Sequence, residues 1–252
     1  MTTKLWNTYH RPEHVKMACL KQLKDLNLEY IDLYLMHFPI SMKFVPFEEK
    51  YPPFWIYDEK EKYPKMEEDN VPIIDTWKAM EALVDEGLVR NIGVCNFNTE
   101  LLRDLINGAR IPPSVLQVEL HPQLTQKKLI RFCRMNRLQM TAFSSFGGQS
   151  YLELSMATKE DLLFEQDIIQ KLSAKHKKTP GQILLRWAIQ QGLAIIPKTS
   201  KAERLQENMD VFNWCLESEE MEAIDALNKN RRYNDPGVFC EKAFGKFFPI
   251  YD

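Results

Sequence analysis

Long apolar runs are missing from this 252-residue chain: none reaches the ~18 residues that a membrane span needs. Its first residues, Met1-Thr-Thr-Lys-Leu-Trp6, hold no apolar stretch of the secretory-signal kind, so a soluble, cytoplasmic protein is expected. Basic runs are missing too. Lys+Arg 33 against Asp+Glu 35 gives a net charge of -2, too little clustered positive charge to neutralise a row of phosphates, and nucleic-acid partners drop out. The five cysteines, Cys19, Cys95, Cys133, Cys215 and Cys240, are odd in number, scattered and never in C-x-x-C spacing. Neither a disulfide framework nor a metal site is indicated, and reduced, mostly buried thiols are expected.

What is present is an alternation of short β-branched runs with longer segments of helical period, the pattern of βα units and a parallel sheet. Tyr30–Met36, Asn91–Cys95, Val115–Glu119, Gln139–Phe143 and Leu193–Ile196 read as strands. In the first helix Val15, Cys19, Leu23 and Leu26 recur on one face, and Asp75 and Gly87 bracket a second. In a later helix Thr179 is the expected N-cap, Pro180 sits at N1 and Gly192 ends it. Strands starting at 91, 115 and 139 are evenly spaced, whereas the gaps from 30 to 91 and from 139 to 193 are much longer. Both excesses fall just after a strand's C-terminal end, where parallel α/β folds place their chemistry. No segment has the composition of a linker, so one domain over 1–252 is expected.

Polar residues recur at those ends. Lys4, His37, Asn96 and Lys198 each follow a β-branched or apolar run, and Gln117 and Glu119 share one face of theirs. Any one of them has an ordinary structural explanation, but their repetition at one end of a parallel sheet points to one site. After Pro197, Ser200 and Glu203 are spaced as a capping box that would open a helix. Its N-terminus, with Lys198, Thr199 and Arg204, is a candidate phosphate site.

At these residues the sequence resembles the aldo-keto reductases, and within them the fungal-type D-xylose reductases. The resemblance rests on Lys4-Leu-Trp-Asn, Leu33-Tyr-Leu-Met-His37-Phe-Pro, Phe44-Val-Pro-Phe-Glu-Glu-Lys-Tyr-Pro-Pro53 and Gly93-Val-Cys-Asn-Phe97. It continues through Leu116-Gln-Val-Glu-Leu-His-Pro122, Thr141-Ala-Phe-Ser-Ser-Phe-Gly147, Ile196-Pro-Lys-Thr199 and Tyr233-Asn-Asp-Pro236. It implies a TIM (β/α)8 barrel and hydride transfer from NADPH to the aldehyde of an aldose such as D-xylose, as in xylose catabolism. Lys4 and His37 would be the catalytic residues, and Asn96 and Gln117 would hold the nicotinamide amide with Cys95 beside them. Phe143 would stack on its ring. Ser144, Phe146, Gln149 and Ser150 would lie in the loop over the pyrophosphate. Lys198, Thr199 and Arg204 would meet the 2′-phosphate, with Glu207 and Asn208 beside the adenine. His37, Phe38 and Asn234 would face the substrate, and Phe54 or Trp55 would line its pocket.

Three departures stand out. Cys95 replaces the usual serine, Phe143 the usual tyrosine, and Thr199-Ser200 the usual Ser-Asn. NADP(H) preference should survive them, with use of NAD(H) left open. A fourth departure is larger: Lys4 belongs at the end of the family's third strand. The resemblance therefore predicts an incomplete barrel with strands 3 to 8 and exposed edges at both end strands, in a truncated fragment. The partner aspartate and the proton-donating tyrosine would be absent and turnover impaired. Three other readings stay open: a non-catalytic NADP(H)-binding form, an unstable fragment, and a general aldehyde or aldose reductase. Homodimerisation is implied by the resemblance alone.

Overall fold

A computed structural model describes residues 1–51, 53–55 and 66–251. Among them strand and helix alternate. The strands are β1 (Thr2–Leu5), β2 (Ile31–Met36), β3 (Val89–Cys95), β4 (Val115–Glu119), β5 (Gln139–Phe143) and β6 (Ala194–Ile195). The helices are α1 (Pro12–Leu26), α2 (Ile73–Asp85), α3 (Thr99–Gly108), α4 (Lys127–Met135), α5 (Asp167–His176), α6 (Pro180–Gln190), α7 (Ala202–Met209), α8 (Ser218–Asp225) and α9 (Pro236–Phe244). Strand order follows chain order. The chain, expected to be one domain, divides into two compact units: Met1–Leu116 with Asp235–Asp252, and Gln117–Asn234.

In the first unit β1 pairs β2, and β2 pairs β3, all in parallel, with Lys4 opposite Leu35 and Leu35 opposite Gly93. The strand interiors are apolar on both faces, and Ile31, Tyr34, Leu35 and Met36 are fully buried, as expected of a parallel sheet covered by helices. Helix α1 begins with Pro12 in its first turn and ends where Asn27 turns left-handed at φ 52°. Val15, Cys19 and Leu23 are buried as their spacing predicts, but Leu26 is 40% exposed because the last turn has already left the core. Helix α2 starts earlier than expected. Its N-cap is Pro72, whose carbonyl accepts from the Asp75 N–H at 3.0 Å, so Asp75 sits inside the first turn. Gly87, at φ 74°, ends that helix as expected.

Gly93 has a different reason to be glycine. A Cβ built there would stand 2.4 Å from the Val115 carbonyl oxygen, where β3 lies closest to the start of β4. Gly93→Ala is therefore expected to destabilise the protein by about 1–3 kcal/mol through overpacking. A urea midpoint equal to that of the parent would refute this.

In the second unit β5 pairs β6 in parallel. Strand β6 covers only Ala194–Ile195, shorter than expected, with Ile196 exposed beyond it. Helix α6 is capped as the sequence predicts. Thr179 Oγ1 accepts from the Gln182 N–H at 3.2 Å, and Gln182 Oε1 accepts from the Thr179 N–H at 2.9 Å. Among the described residues no helix is long and apolar enough to cross a membrane.

Candidate active site

The first unit brings Lys4 and His37 to one cavity of about 250 Å³, lined also by Trp6, Tyr9, Gln22, Tyr51, Pro53 and Phe54. Register explains the pairing: Lys4 and Leu5 lie opposite Leu35 and Met36, so residues from the C-terminal ends of adjacent parallel strands meet. Gln22 on α1 fixes the lysine from the other side. Its Nε2 donates to the Lys4 carbonyl at 3.0 Å, while its Oε1 accepts from Thr3 Oγ1 at 3.0 Å. The His37 ring stacks on Phe38 at 4.6 Å and meets the edge of Trp6 at 5.2 Å. Burial, with the charge of Lys4 and then His10 beside it, holds His37 down to about 3, so the imidazole is neutral near pH 7. Among the described residues Lys4 forms no ion pair.

Phe38 lies behind this wall, in a buried cluster with Ile40 and Cys240, against which Trp55 also packs; Phe54 is 62% exposed at the cavity. Asn96 follows β3 with a left-handed φ of 62°, a conformation that asparagine tolerates. Its Nδ2 donates to the His37 carbonyl at 2.9 Å, and its Oδ1 is buried without a partner among the described residues, an acceptor open to a ligand N–H. Cys95 is buried beside it. Burial pushes its thiol up to about 12 against the pull of Lys4, so it remains an unreactive thiol.

The second unit gathers Phe146, Gln149, Lys198, Thr199, Arg204, Glu207 and Asn208 around an open cavity of about 740 Å³, floored by Pro180 and Gly181. Lys198 and Arg204 are exposed and form no ion pair among the described residues. The expected Ser200–Glu203 capping box is not formed. The N-cap of α7 falls one residue later, at Lys201, without a side-chain cap, and Thr199 Oγ1 accepts from the Lys201 N–H at 3.1 Å. That bond leaves the Thr199 hydroxyl proton free to donate. Glu207 is anchored by Thr179 Oγ1, which donates to its Oε1.

Gln117 and Glu119 are both buried on one face of β4, as their spacing predicts. Phe143 ends β5, and Ser144 follows it at φ 53°. The Ser150 side chain lies outside the described residues. Among those described, no three His, Cys, Asp or Glu side chains stand together as a metal-ligand set. Sequence reasoning did not single out Gln22, Tyr9 or Tyr51 at the first cavity, nor Tyr151, whose hydroxyl bonds Ser144 and Asn234. Trp6 and Tyr9 had one available signal, their place in the same short run as Lys4.

Parallel βα units with polar groups gathered at strand ends define an α/β enzyme of the barrel or doubly wound kind. Residues 1–229 match the aldo/keto reductase family, and the chain belongs to it. It is 49% identical over 252 residues to the NADPH-dependent aldose reductase GRE3 of Saccharomyces cerevisiae, covering 98% of this chain and 77% of that one. It is 51% identical over 238 residues to the NAD(P)H-dependent D-xylose reductase of Pachysolen tannophilus, covering 94% and 74%. The solved aldose reductase from Schistosoma japonicum superposes with a TM-score of 0.82 at 34% identity, over 100% of this chain and 75% of that one. These matches do not support the expectations of a truncated chain, an incomplete barrel or impaired turnover.

Proposed function

We propose that this chain is an aldose reductase that uses NADPH to convert the open-chain aldehyde of a sugar such as D-xylose to the alditol. The observation that carries the reading is Lys4 beside a neutral His37 in one cavity, at the strand ends of a family whose relatives are named aldose and D-xylose reductases. The second unit's cavity fits the cofactor. Two cations without ion-pair partners among the described residues, Lys198 and Arg204, and a free hydroxyl donor on Thr199 suit the 2′-phosphate that distinguishes NADP(H) from NAD(H). NAD(H) would be used more weakly.

When bound, NADPH would supply the hydride to the carbonyl carbon, and the alkoxide so formed would take its proton from solvent water. The protein's own residues orient and polarise. His37 donates an N–H to the substrate carbonyl oxygen, and the Lys4 ammonium stabilises the negative charge that develops there. As the resemblance implies, Asn96 with Cys95 next to it in the first unit, and Gln117 and Phe143 in the second, would hold the nicotinamide. Ser144, Phe146, Gln149 and Ser150 would meet the pyrophosphate, and Glu207 and Asn208 would flank the adenine. Phe38 keeps His37 in plane, and Asn234 meets a sugar hydroxyl.

The test is NADPH-dependent reduction of D-xylose, compared with glyceraldehyde and an aromatic aldehyde. Xylose should be turned over; a protein that binds NADPH and reduces no sugar refutes the reading, and a strong preference for aromatic aldehydes would make it a general aldehyde reductase. Lys198→Ala and Arg204→Ala should each weaken NADPH binding about tenfold or more while leaving NADH unchanged. Equal losses for both cofactors would take these residues away from the 2′-phosphate.

A further inference from the structure

Glu119, fully buried at the end of β4, accepts from two consecutive backbone N–H groups, those of Tyr233 and Asn234, each at 2.8 Å. His121 Nε2 meets the same carboxylate at 2.9 Å. A buried carboxylate satisfied in this way fixes the backbone at 233–234. Above it the Tyr151 ring is buried and stacks on Tyr233 at 5.6 Å and 18°. Tyr233 is held in turn, its hydroxyl donating to Gln123 Oε1 at 2.8 Å.

The Tyr151 hydroxyl joins two residues that the proposed function places on different ligands. Asn234 Nδ2 donates to it at 3.3 Å, and it stands 2.7 Å from Ser144 Oγ. Either hydroxyl can donate in this pair, and donation by Tyr151 is the direction that satisfies the phenol proton, which has no other acceptor among the described residues. The Ser144 proton is then left to donate outward. At the other end Asn234 Oδ1 is buried without a partner among the described residues. The chain therefore offers a donor at Ser144, suited to a phosphate oxygen, and an acceptor at Asn234, suited to a sugar hydroxyl, and each bond polarises the next. Ser144 is held at a left-handed φ of 53°, which a serine adopts only at a cost and which the surrounding structure must maintain.

We infer that Tyr151 is a positioning residue: its hydroxyl sets Ser144 toward the cofactor's phosphates and Asn234 toward the sugar, so that affinity for each depends on this one group. The inference rests on the proposed function and is tested by Tyr151→Phe, which keeps the stacked ring and removes only the hydroxyl. NADPH affinity, read by quenching of tryptophan fluorescence, is expected to fall about two- to tenfold, the range of one lost hydrogen bond. Ser144→Ala should reproduce that loss, and adding Tyr151→Phe to it should bring no further loss. In turnover, Tyr151→Phe should raise the KM for xylose several-fold with kcat within about twofold, and Asn234→Ala should absorb this effect. NADPH affinity unchanged in Tyr151→Phe, or losses that add fully with those of Ser144→Ala, would overturn the inference while leaving the proposed function intact. A parent protein showing no saturable quenching would overturn both.

Discussion

Lowering the pH from 7.5 to 5 is expected to remove about 4 kcal/mol of stability through two histidines. His10 is buried, with Nδ1 3.1 Å from Ser41 Oγ and Nε2 without a partner among the described residues. Burial alone takes it down to about 3, and His37 reaches about 3 through burial with Lys4 and His10 beside it. In the unfolded chain both titrate near ~6.5. Above that value neither state binds the protons and the full stability is present. As the pH falls below it, the unfolded chain gains two protons that the folded chain refuses, and each histidine costs about 1.4 kcal/mol per pH unit until the folded values are reached. Against a total of ~5–15 kcal/mol this is large. Urea midpoints at the two pH values measure it. His10→Asn should roughly halve the slope even if it lowers stability at every pH. Equal stability at pH 7.5 and 5 would mean that both rings take up protons in the folded state.

Lys4→Met should lower kcat for xylose by about 10²–10³-fold, the cost of removing one preorganised electrostatic stabiliser. The substitution keeps an unbranched stem of similar length in the cavity, so packing against Trp6 and Tyr9 is retained and the ammonium alone is lost. NADPH affinity should stay within about twofold, because the residues proposed to hold its 2′-phosphate, Lys198, Thr199 and Arg204, line the second unit's cavity and Lys4 does not. Steady-state kinetics with a fluorescence titration separates the two quantities. A fall in kcat below about tenfold would leave Lys4 as a wall of the cavity with no part in the chemistry. A matching loss in NADPH affinity would assign it to cofactor binding.

The parts of the fold legible in the sequence were those decided locally. Val115–Glu119 and Gln139–Phe143 are strands over the expected ranges because turn residues bound short buried runs. Thr179 caps α6 because a capping box needs only residues three apart. The same rule failed at Ser200. There the Lys201 N–H is taken by Thr199, two residues back, and the helix starts one step later. The cation pair of the second cavity was legible, since Lys198 and Arg204 sit within one short segment. Most of the walls around Lys4 were not. Gln22 reaches the strand from a helix with no local signal, and Tyr51, though it lies in the recognisable run Phe44–Pro53, reaches the cavity from a long loop whose path spacing does not give. The Tyr151 hydroxyl contacts Asn234 across 83 residues of chain, a separation at which pattern and spacing say nothing.

Gln22 also has a consequence for the rigidity of the strand that carries the ammonium. Strand β1 gives the carbonyls of Met1 and Leu5 to β2, so the Lys4 carbonyl faces the opposite side. That oxygen is bonded by Gln22 Nε2, and the same side chain is held at its other end by Thr3. The lysine's backbone is thus tied to the sheet on one side and to a helix on the other, and the glutamine serves as a cross-brace that holds the charge to one place.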